Sequence, residues 1–282
     1  MFKVKYFPLF ALFPICLIFL YGKFIESRWI KVKDTKIEIS GTDSNKFDIR
    51  IVHLTDFHLG SDVSLDYLRS VFHQAVNQKP DLICLTGDYK TSGLIKNKAE
   101  YIDAIKILTA AAPTYACPGN HDGGLWARER GGTPNVDEIK FVLESAGVLF
   151  LENATSKIKI RKANIIIGGL GDIWADRCEP EKIEKDLDTS NVNLKIILTH
   201  NPDSKIQTKK LKWDLILAGH THGGQLYIPL IGAPFAPIQD KKFVNGLYEY
   251  NGGKIYVSPG IGNLHGMRIN CRPEISILDV KN

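Results

Sequence analysis

The sequence predicts an α/β fold, and two observations lead to this expectation. Apolar runs of strand length recur from Phe47 onward, and helix-like stretches lie between several of them. The runs are nearly continuous in Val, Ile and Leu, which indicates sheets that are covered on at least one face. The predicted strands are FDIRIVHL, DLICLTG, PTYACPG, NIIIGGLG, LKIILTH, DLILAGH, KIYVSPG and EISILDV. The predicted helices are Leu65–Asn77, Asn97–Ala111 and Val136–Ala146.

The N-terminal segment, residues 1–46, is expected to anchor the chain in a membrane. An uncharged apolar stretch runs from Tyr6 to Gly22 after Lys3 and Lys5, and about 20 such residues can span a bilayer. An uncleaved anchor and a signal peptide both fit this pattern, and the lack of a small-x-small cleavage site favours the anchor. More basic residues follow the stretch than precede it, which places the catalytic domain on the cytoplasmic side of the inner membrane. They are Lys23, Arg28, Lys31 and Lys33.

The next stretch, FIESRWIKVK, has two interpretations. Its apolar side chains could contact lipid while its basic side chains contact phosphate headgroups. It could equally form the first strand of the folded domain. The sequence leaves both open.

Residues 47–282 are expected to form one catalytic domain. The chain has 282 residues, of which 44% are hydrophobic and 24% charged, and this is enough for one sizeable core. The formal net charge of +5 suits anionic partners or a phospholipid surface. Nucleic acid is not expected as a partner, because Lys and Arg are scattered rather than massed in one block. The five cysteines form no CxxC pair and are expected to be buried free thiols.

Candidate metal ligands lie where five of the predicted strands end. A lone DxH or HTH motif is more often structural, but five such ends in one chain predict a metal centre. In an extended segment residues i and i+2 point to the same side, so Asp56 should converge with His58, and His220 with His222. Carboxylates, imidazoles and an amide oxygen suit divalent ions such as Mn, Fe, Zn or Mg. The residues at these ends are Asp56, His58, Asp88, Asn120, His121, Asp122, His200, His220 and His222.

The order DxH, GD, GNHD, H and GHTH, from Asp56 to His222, resembles the signature of calcineurin-like metallophosphoesterases. This resemblance implies a four-layer αββα sandwich of two mixed sheets flanked by helices. It also implies two divalent metal ions, with manganese as the first choice and iron, zinc or magnesium as the others. One implied metal is bound by Asp56, His58, Asp88 and His222. The other is bound by Asp88, Asn120, His200 and His220, so that Asp88 bridges the two.

The same resemblance gives roles to the last two residues of the GNHD motif. His121 is not a ligand in the family, and it is expected to stabilise the charged transition state or to protonate the leaving oxygen. Asp122 is expected to orient the His121 ring. The alternative is that His121 is only a structural neighbour.

Patterns near the two ends of the chain resemble one branch of this family. The branch contains YkuE- and YaeI-like membrane-associated phosphodiesterases and calcineurin-like UDP-2,3-diacylglucosamine pyrophosphohydrolases. Its features here are the apolar N-terminus, an E-x-x-W stretch at 26–29, GHTHGGQ at 219–225, and a GLY…VSxGxG…R…PE pattern at 246–274. Arg268 is the arginine of the last pattern and a candidate substrate-binding residue. Pro259 stands where the branch has an arginine, which weakens the analogy for substrate identity.

Two stretches near the candidate ligands could contact substrate. The loop 123–132 contains a tryptophan and two arginines between glycine pairs, and we expect Arg128 or Arg130 to bind an anionic substrate group. A solvated loop is the alternative. The second stretch, LYIPLIGAPFAPIQDKKF, is rich in proline and apolar residues, and it could either contact acyl chains or the bilayer or pack under the core.

The expected activity is hydrolysis of a phosphodiester or diphosphate bond by metal-activated water. The predicted anchor favours an anionic, lipid-linked phosphoester, and UDP-2,3-diacylglucosamine, cut to a sugar phosphate lipid and UMP, is the leading specific substrate. One alternative is a phosphodiesterase or phosphatase that acts on soluble nucleotides or phosphoproteins. Another is a non-catalytic binding protein on the same fold. The oligomeric state is left open.

Overall fold

The computed structural model describes residues 7–39 and 46–282, and within them the chain forms two six-stranded sheets. The first sheet has the order β1-β12-β2-β3-β4-β5, and the second has the order β10-β11-β9-β8-β7-β6. The strands of the first sheet are β1 (Lys31–Glu38), β2 (Asp48–Leu54), β3 (Leu82–Thr86), β4 (Thr114–Cys117), β5 (Leu149–Phe150) and β12 (Glu274–Lys281). Those of the second are β6 (Ala154–Ile160), β7 (Ala163–Gly169), β8 (Leu194–Leu198), β9 (Leu215–Ala218), β10 (Gly246–Tyr250) and β11 (Gly253–Val257).

Both sheets are mixed. In the first, β2 to β5 run parallel, and β12 pairs antiparallel with β2 and parallel with β1. In the second, β11, β9, β8 and β7 run parallel, while β10 and β6 pair antiparallel at the two edges. All eight strands predicted from the sequence are present.

Six α-helices flank the sheets or precede them in the described residues. The predicted helices correspond to α2, α3 and α5, and side-chain oxygens of Ser64 and Asn97 accept backbone N–H bonds at the starts of α2 and α3. The helices are α1 (Phe7–Phe24), α2 (Leu65–Val76), α3 (Lys98–Thr109), α4 (Leu125–Arg128), α5 (Asp137–Ser145) and α6 (Glu181–Leu187). Short 3₁₀ turns occupy Glu26–Arg28, Pro202–Lys205, Gln207–Lys210 and His222–Gly224.

Within the part of the chain that the structure describes, three apolar cores hold the layers together. Side chains such as Ile51 of β2 and Ile167 of β7 meet in the core between the two sheets. The other face of the first sheet packs against α2, α3 and α5, and the other face of the second packs against α6 and the loops around it. The layers are therefore helix, sheet, sheet and helix, and the predicted α/β fold with two mixed sheets is confirmed.

The N-terminal segment differs from the expectation. Within residues 7–39 and 46–282, no helix combines the length and the apolar character needed to cross a bilayer, so the predicted transmembrane segment is unsupported. Lys3 and Lys5, on which the orientation argument depended, lie outside the described residues. The strand β1 pairs with β12 along its whole length, so the first sheet extends into the segment 1–46 that the sequence analysis had separated from the catalytic domain. Its start, Lys31, lies in the stretch for which a first strand was one of the two interpretations.

Candidate metal centre

The candidate ligands lie where parallel strands of the two sheets end side by side. Asp56 and His58 follow β2, Asp88 follows β3, and Asn120 follows β4. His200 follows β8, and His220 and His222 follow β9. Backbone bonds tie neighbouring ends together: Asp56 N donates to Gly87 O at 3.0 Å, and His58 N donates to Asp88 O at 2.9 Å. The carboxyl ends of parallel strands share one sheet edge, and the two sheets bring their edges together at this point.

The backbone at this edge is not extended. Five of the seven candidate ligands have positive φ angles, from 48° at His58 to 67° at His220, which is the left-handed region. Asp56 and His58 do converge, with Asp56 Oδ1 3.8 Å from His58 Nε2, but not through an extended segment. The expected convergence of His220 with His222 is wrong, because the two lie in different groups of side chains. Non-glycine residues in this conformation cost about 1–3 kcal/mol each and cluster at functional sites. The five are Asp56, His58, Asp88, His220 and His222.

The side chains form two groups that meet at Asp88. In the first group, His222 Nε2 lies 3.3 Å from Asp56 Oδ1 and 3.0 Å from His58 Nε2. In the second, His200 Nε2 lies 3.1 Å from Asp88 Oδ2 and 3.2 Å from His220 Nδ1. The same Asp88 oxygen lies 3.5 Å from His58 Nε2, so it is within reach of both groups.

Each of the two carboxylates uses one oxygen within the protein and directs the other toward the histidines. Asp56 Oδ2 accepts bonds from Thr55 Oγ1 at 2.9 Å and from His220 N at 3.1 Å. Asp88 Oδ1 accepts a bond from His121 N at 2.9 Å. The oxygens that face the imidazoles are therefore Asp56 Oδ1 and Asp88 Oδ2, which leaves them in place to bind cations.

These residues fit divalent metal ions. Among the described residues, Asp56 Oδ1 and Asn120 Oδ1 are buried without a hydrogen-bond partner, which is costly unless a cation or water binds them. Imidazole nitrogens and carboxylate oxygens crowd together within 4.8 Å in each group. Such a set of nitrogen and oxygen donors suits the divalent ions expected from the sequence.

Bonds from the second ring nitrogen orient two of the histidines. His200 Nδ1 bonds to Thr86 O at 2.7 Å, and His220 Nε2 bonds to Pro237 O at 3.0 Å. A carbonyl can only accept, so these nitrogens carry the protons and leave His200 Nε2 and His220 Nδ1 free to bind metal. The two histidines therefore present different ring nitrogens to the second group.

The charges of this centre are strongly coupled. Burial lowers the pKa of His200, but the carboxylates around it, foremost Asp88 and then Asp56 and Asp172, together outweigh burial and raise that pKa well above its usual value. Burial and the nearby Asp88 charge together raise the pKa of Asp122 to about 7, although two backbone N–H bonds oppose them. A bound divalent ion would add positive charge and favour the ionised carboxylates and neutral imidazoles.

The structure places Asp122 in a role other than the expected one. Its Oδ2 accepts bonds from Asp88 N at 2.8 Å and Gly119 N at 2.7 Å, and its Oδ1 accepts one from Tyr89 N at 2.8 Å. The ring of His121 is instead held through Nδ1 by Thr91 O at 2.5 Å. Asp122 therefore fixes the backbone on either side of Asp88 rather than the His121 ring.

A cavity of about 500 Å³ opens in front of the two groups. His121 lies on it, with its Nε2 3.9 Å from Asp88 Oδ2. Trp126 and Trp174 form one wall, with ring centroids 5.9 Å apart, and they contact the rings of His121 and His220. Trp174 was not among the residues predicted from the sequence, although it follows the end of β7 as the candidate ligands follow the ends of their strands.

The three candidate substrate-binding arginines lie in different places. Arg130 lines the cavity, and its guanidinium carbon lies 4.3 Å from the centroid of the Trp126 ring. Arg128 is exposed and is not among the residues that line the cavity in the described part of the chain. Arg268 is fully buried and donates to backbone carbonyls, including those of Gly262 and Pro259 at 2.8 and 2.7 Å. A direct substrate contact of Arg268 is therefore not supported, because its guanidinium is already enclosed.

Comparison with known proteins places the chain in a family. The model of the calcineurin-like phosphoesterase family matches residues 49–224. Phosphodiesterase YaeI of Escherichia coli strain K12 is 37% identical over 92% of each chain. UDP-2,3-diacylglucosamine pyrophosphatase LpxG of Chlamydia muridarum is 22% identical over 93% of this chain and 92% of its own length. Among solved structures, the NAD nucleotidase NadN of Haemophilus influenzae has a TM-score of 0.50 and 16% identity over 75% of this chain, which spans 45% of that structure. With its two groups of metal-binding side chains, the chain belongs to the calcineurin-like phosphoesterases and is a metal-dependent phosphoester hydrolase.

Proposed function

We propose that this enzyme hydrolyses a phosphodiester or diphosphate bond in a lipid-linked substrate at a membrane surface. The leading specific substrate is UDP-2,3-diacylglucosamine, which would be cut to a sugar phosphate lipid and UMP. The observation that carries the proposal is the cavity, in which the metal-binding groups, a free His121 nitrogen and an aromatic wall lie together. The similarity to LpxG over nearly the whole chain supports the choice of substrate.

The ligand assignment follows the two groups of side chains. The first group, with Asp88, would bind one ion, and the second group, with Asn120, would bind the other, so that Asp88 bridges them. Bound divalent ions at such a site supply Lewis-acid activation of the phosphoryl group and of water. We propose manganese as the metal, with iron, zinc or magnesium as alternatives.

His121 is proposed as the residue that contacts the reacting phosphate. Its Nδ1 donates to the Thr91 carbonyl, so its Nε2 points toward Asp88 and the cavity. From there Nε2 can stabilise charge on the phosphoryl group or, when protonated, donate a proton to the leaving oxygen. This bond to Thr91 keeps the ring from rotating away.

The aromatic wall is proposed to bind the leaving group. Trp126 and Trp174 offer large flat apolar surfaces beside the metal-binding groups, and such surfaces stack well on a nucleobase. Arg130, stacked on Trp126, can pair with a phosphate of the same ligand. This combination suits the uridine and phosphate parts of the leading substrate.

Membrane association through the N-terminal segment is part of the proposal, with the catalytic domain on the cytoplasmic side of the inner membrane. In α1, every side chain from Phe13 to Tyr21 is exposed, and most of them are apolar. An exposed apolar helix of this kind is typical of a segment that binds lipid. Nucleic acid remains an unexpected partner, and we make no proposal on the oligomeric state.

Release of UMP from UDP-2,3-diacylglucosamine by the full chain with added manganese tests the proposal. A generic chromogenic phosphodiester and the Asn120→Ala variant serve as controls. Lipid turnover far above that of the generic ester, and lost in the variant, would support the proposed substrate. Turnover of the generic ester or of soluble nucleotides alone, unaffected by detergent micelles, would overturn the lipid-linked substrate and leave the phosphoesterase activity standing.

A further inference from the structure

The loop that follows the GHTHGGQ motif presents an ordered group of exposed apolar side chains. Leu230 is fully exposed, and Ile231 and Phe235 are 70% and 71% exposed. Two backbone bonds of 2.8 Å between Ile228 and Gly232 close a tight turn that carries Leu230 at φ 69°. Since a branched residue in the left-handed region is strained, the turn holds these side chains outward at a cost. We call Leu230, Ile231 and Phe235 the apolar tip.

The apolar tip is joined directly to the candidate metal centre. On its C-terminal side, the carbonyl of Pro237 bonds to His220 Nε2 at 3.0 Å, and the neighbouring Ala236 and Ile238 are buried. On its N-terminal side, Gln225 follows His222 after the short 3₁₀ turn. The tip therefore projects from a base, residues 225–228 and 236–238, that follows the candidate ligand His222 on one side and bonds to the candidate ligand His220 on the other.

The same base adjoins the end of α1. Tyr227 N donates to Ile269 O at 2.9 Å, and Ile269 N donates to Gln225 O at 2.8 Å. The preceding amide, Arg268 N, donates to Gly22 O of α1 at 3.1 Å. The amides of Arg268 and Ile269 are successive, and successive amides of an extended chain point to opposite sides. The base of the tip and the end of α1 therefore lie on either side of residues 268–269.

Basic side chains lie between α1 and the catalytic cavity. Lys23 and Arg28 line a second cavity of about 280 Å³ at the end of α1. Asp62 and Asn263 line both this cavity and the catalytic one, so the two adjoin. Cations next to exposed apolar side chains are the arrangement that binds anionic headgroups above an acyl layer.

We propose that the apolar tip inserts into an anionic lipid bilayer beside α1, so that the catalytic cavity opens at the level of the headgroups. The enzyme then takes the phosphate of an amphiphile from the membrane surface without extracting its acyl chains. This inference rests on the proposed lipid-linked substrate. It assigns to the loop a membrane-binding function separate from that of the N-terminal segment.

An environment-sensitive probe tests insertion without any need for turnover. The full chain carries Cys16→Ser and Cys178→Ser, with an NBD fluorophore on either Ile231→Cys or, as a control, Phe141→Cys on the exposed face of α5. With vesicles of phosphatidylglycerol, the probe at 231 should shift to the blue and brighten several-fold, and the probe at 141 should not change. Vesicles of phosphatidylcholine should give a smaller response. Co-sedimentation of the protein with the anionic vesicles while the probe at 231 stays in water would overturn the proposal.

A kinetic comparison separates this inference from the proposed function. The combined Leu230→Ser, Ile231→Ser and Phe235→Ser variant should lose at least tenfold in kcat/KM on UDP-2,3-diacylglucosamine in anionic vesicles. Its kcat/KM on the soluble chromogenic ester should stay within twofold, as should that of a Phe141→Ser control on both substrates. An equal loss on both substrates, or no loss on vesicles, would overturn the role of the tip. If the unsubstituted enzyme fails to cleave the lipid, the proposed substrate is wrong, and the probe measurement alone decides insertion.

Discussion

The replacement Asp122→Asn distinguishes a structural role of this carboxylate from a role in orienting His121. The side chain is fully buried, and its two oxygens accept three backbone N–H bonds, from Asp88, Tyr89 and Gly119. An amide of the same shape replaces one accepting oxygen with a donor. Whichever oxygen is replaced, at least one of the three N–H groups loses its acceptor and stays buried.

The expected loss of stability follows from the number of hydrogen bonds that the replacement removes. Above pH 7, where the Asp122 carboxyl is ionised, a hydrogen bond to this charged acceptor contributes about 1.5–3 kcal/mol, and an unsatisfied buried donor costs about 1–3 kcal/mol. We therefore expect Asp122→Asn to lower the free energy of unfolding by about 3 kcal/mol, or the melting temperature by about 6–12 °C in a chain of this size. Because the lost bonds position Asp88, metal affinity should also fall by about 10- to 100-fold, as it does when residues behind a ligand are changed.

The assay is thermal unfolding after chelation, followed by titration with manganese and by turnover of the chromogenic ester. The variant His121→Asn is the matched comparison. It removes the Nε2 group that faces the cavity, so kcat should fall by about 10²- to 10⁴-fold while metal affinity stays close to that of the unsubstituted enzyme. An Asp122→Asn variant with unchanged stability and metal affinity, but with the kcat of His121→Asn, would refute this reasoning and restore the orienting role.

Three further predictions concern stability and metal binding. Glu138→Gln should cost about 3 kcal/mol in urea unfolding at pH 7, since it breaks the 2.8 Å pair with the buried Lys90. Burial is the largest influence on the pKa of Glu138 and raises it, but the bonds from Lys90 and Lys98 together outweigh burial and lower the pKa. The ion pairs therefore stabilise the fold at neutral pH, and this contribution is lost as the pH falls through the folded pKa. The difference between variant and parent should then shrink as the pH falls below the usual titration range of a glutamate, and a constant difference would contradict the pairing. Arg268→Lys should also lower the free energy of unfolding by about 3 kcal/mol. An ammonium cannot replace the guanidinium bonds to several buried carbonyls, among them that of His222. A raised KM with an unchanged free energy of unfolding would instead indicate that Arg268 contacts substrate. Chelation by EDTA should abolish ester turnover and lower the melting temperature. Manganese at 100 times its Kd should then restore about 2.7 kcal/mol to the free energy of unfolding. Turnover that survives chelation would contradict a metal requirement.

The strands predicted from the sequence are those whose composition reflects burial on both faces. β3 and β9 are buried along their whole length, so their apolar runs stand out. β6 and β10 were missed because they lie at the two edges of the second sheet, where only one residue of β6 and none of β10 is fully buried and polar residues interrupt the pattern. β5 has only two residues, which is too short for any periodicity to show.

The residues of the candidate metal centre were easier to predict from the sequence than the hydrogen-bond partners of the residues around it. All seven candidate ligands come together at one edge, because each follows an apolar run whose end the sequence marks; their roles as ligands stay a prediction. The bonds of Asp122 and Arg268 could not be predicted, since their partners are backbone groups from distant parts of the chain. Trp174 could have been found by extending the strand-end argument to β7, after which Asp172 accepts the Trp174 N–H at 2.7 Å.

The left-handed backbone explains why residues two apart in the sequence can serve two different groups. In an extended chain the rings of His220 and His222 would point the same way. Both have positive φ, and their rings diverge, so that His222 faces Asp56 while His220 faces His200. Close approach of neighbouring loops supports this arrangement, because a Cβ at Gly119 would collide with the Asp88 carboxylate. The strain at each of these residues can persist only because the core between the two sheets fixes the strand ends from which they project.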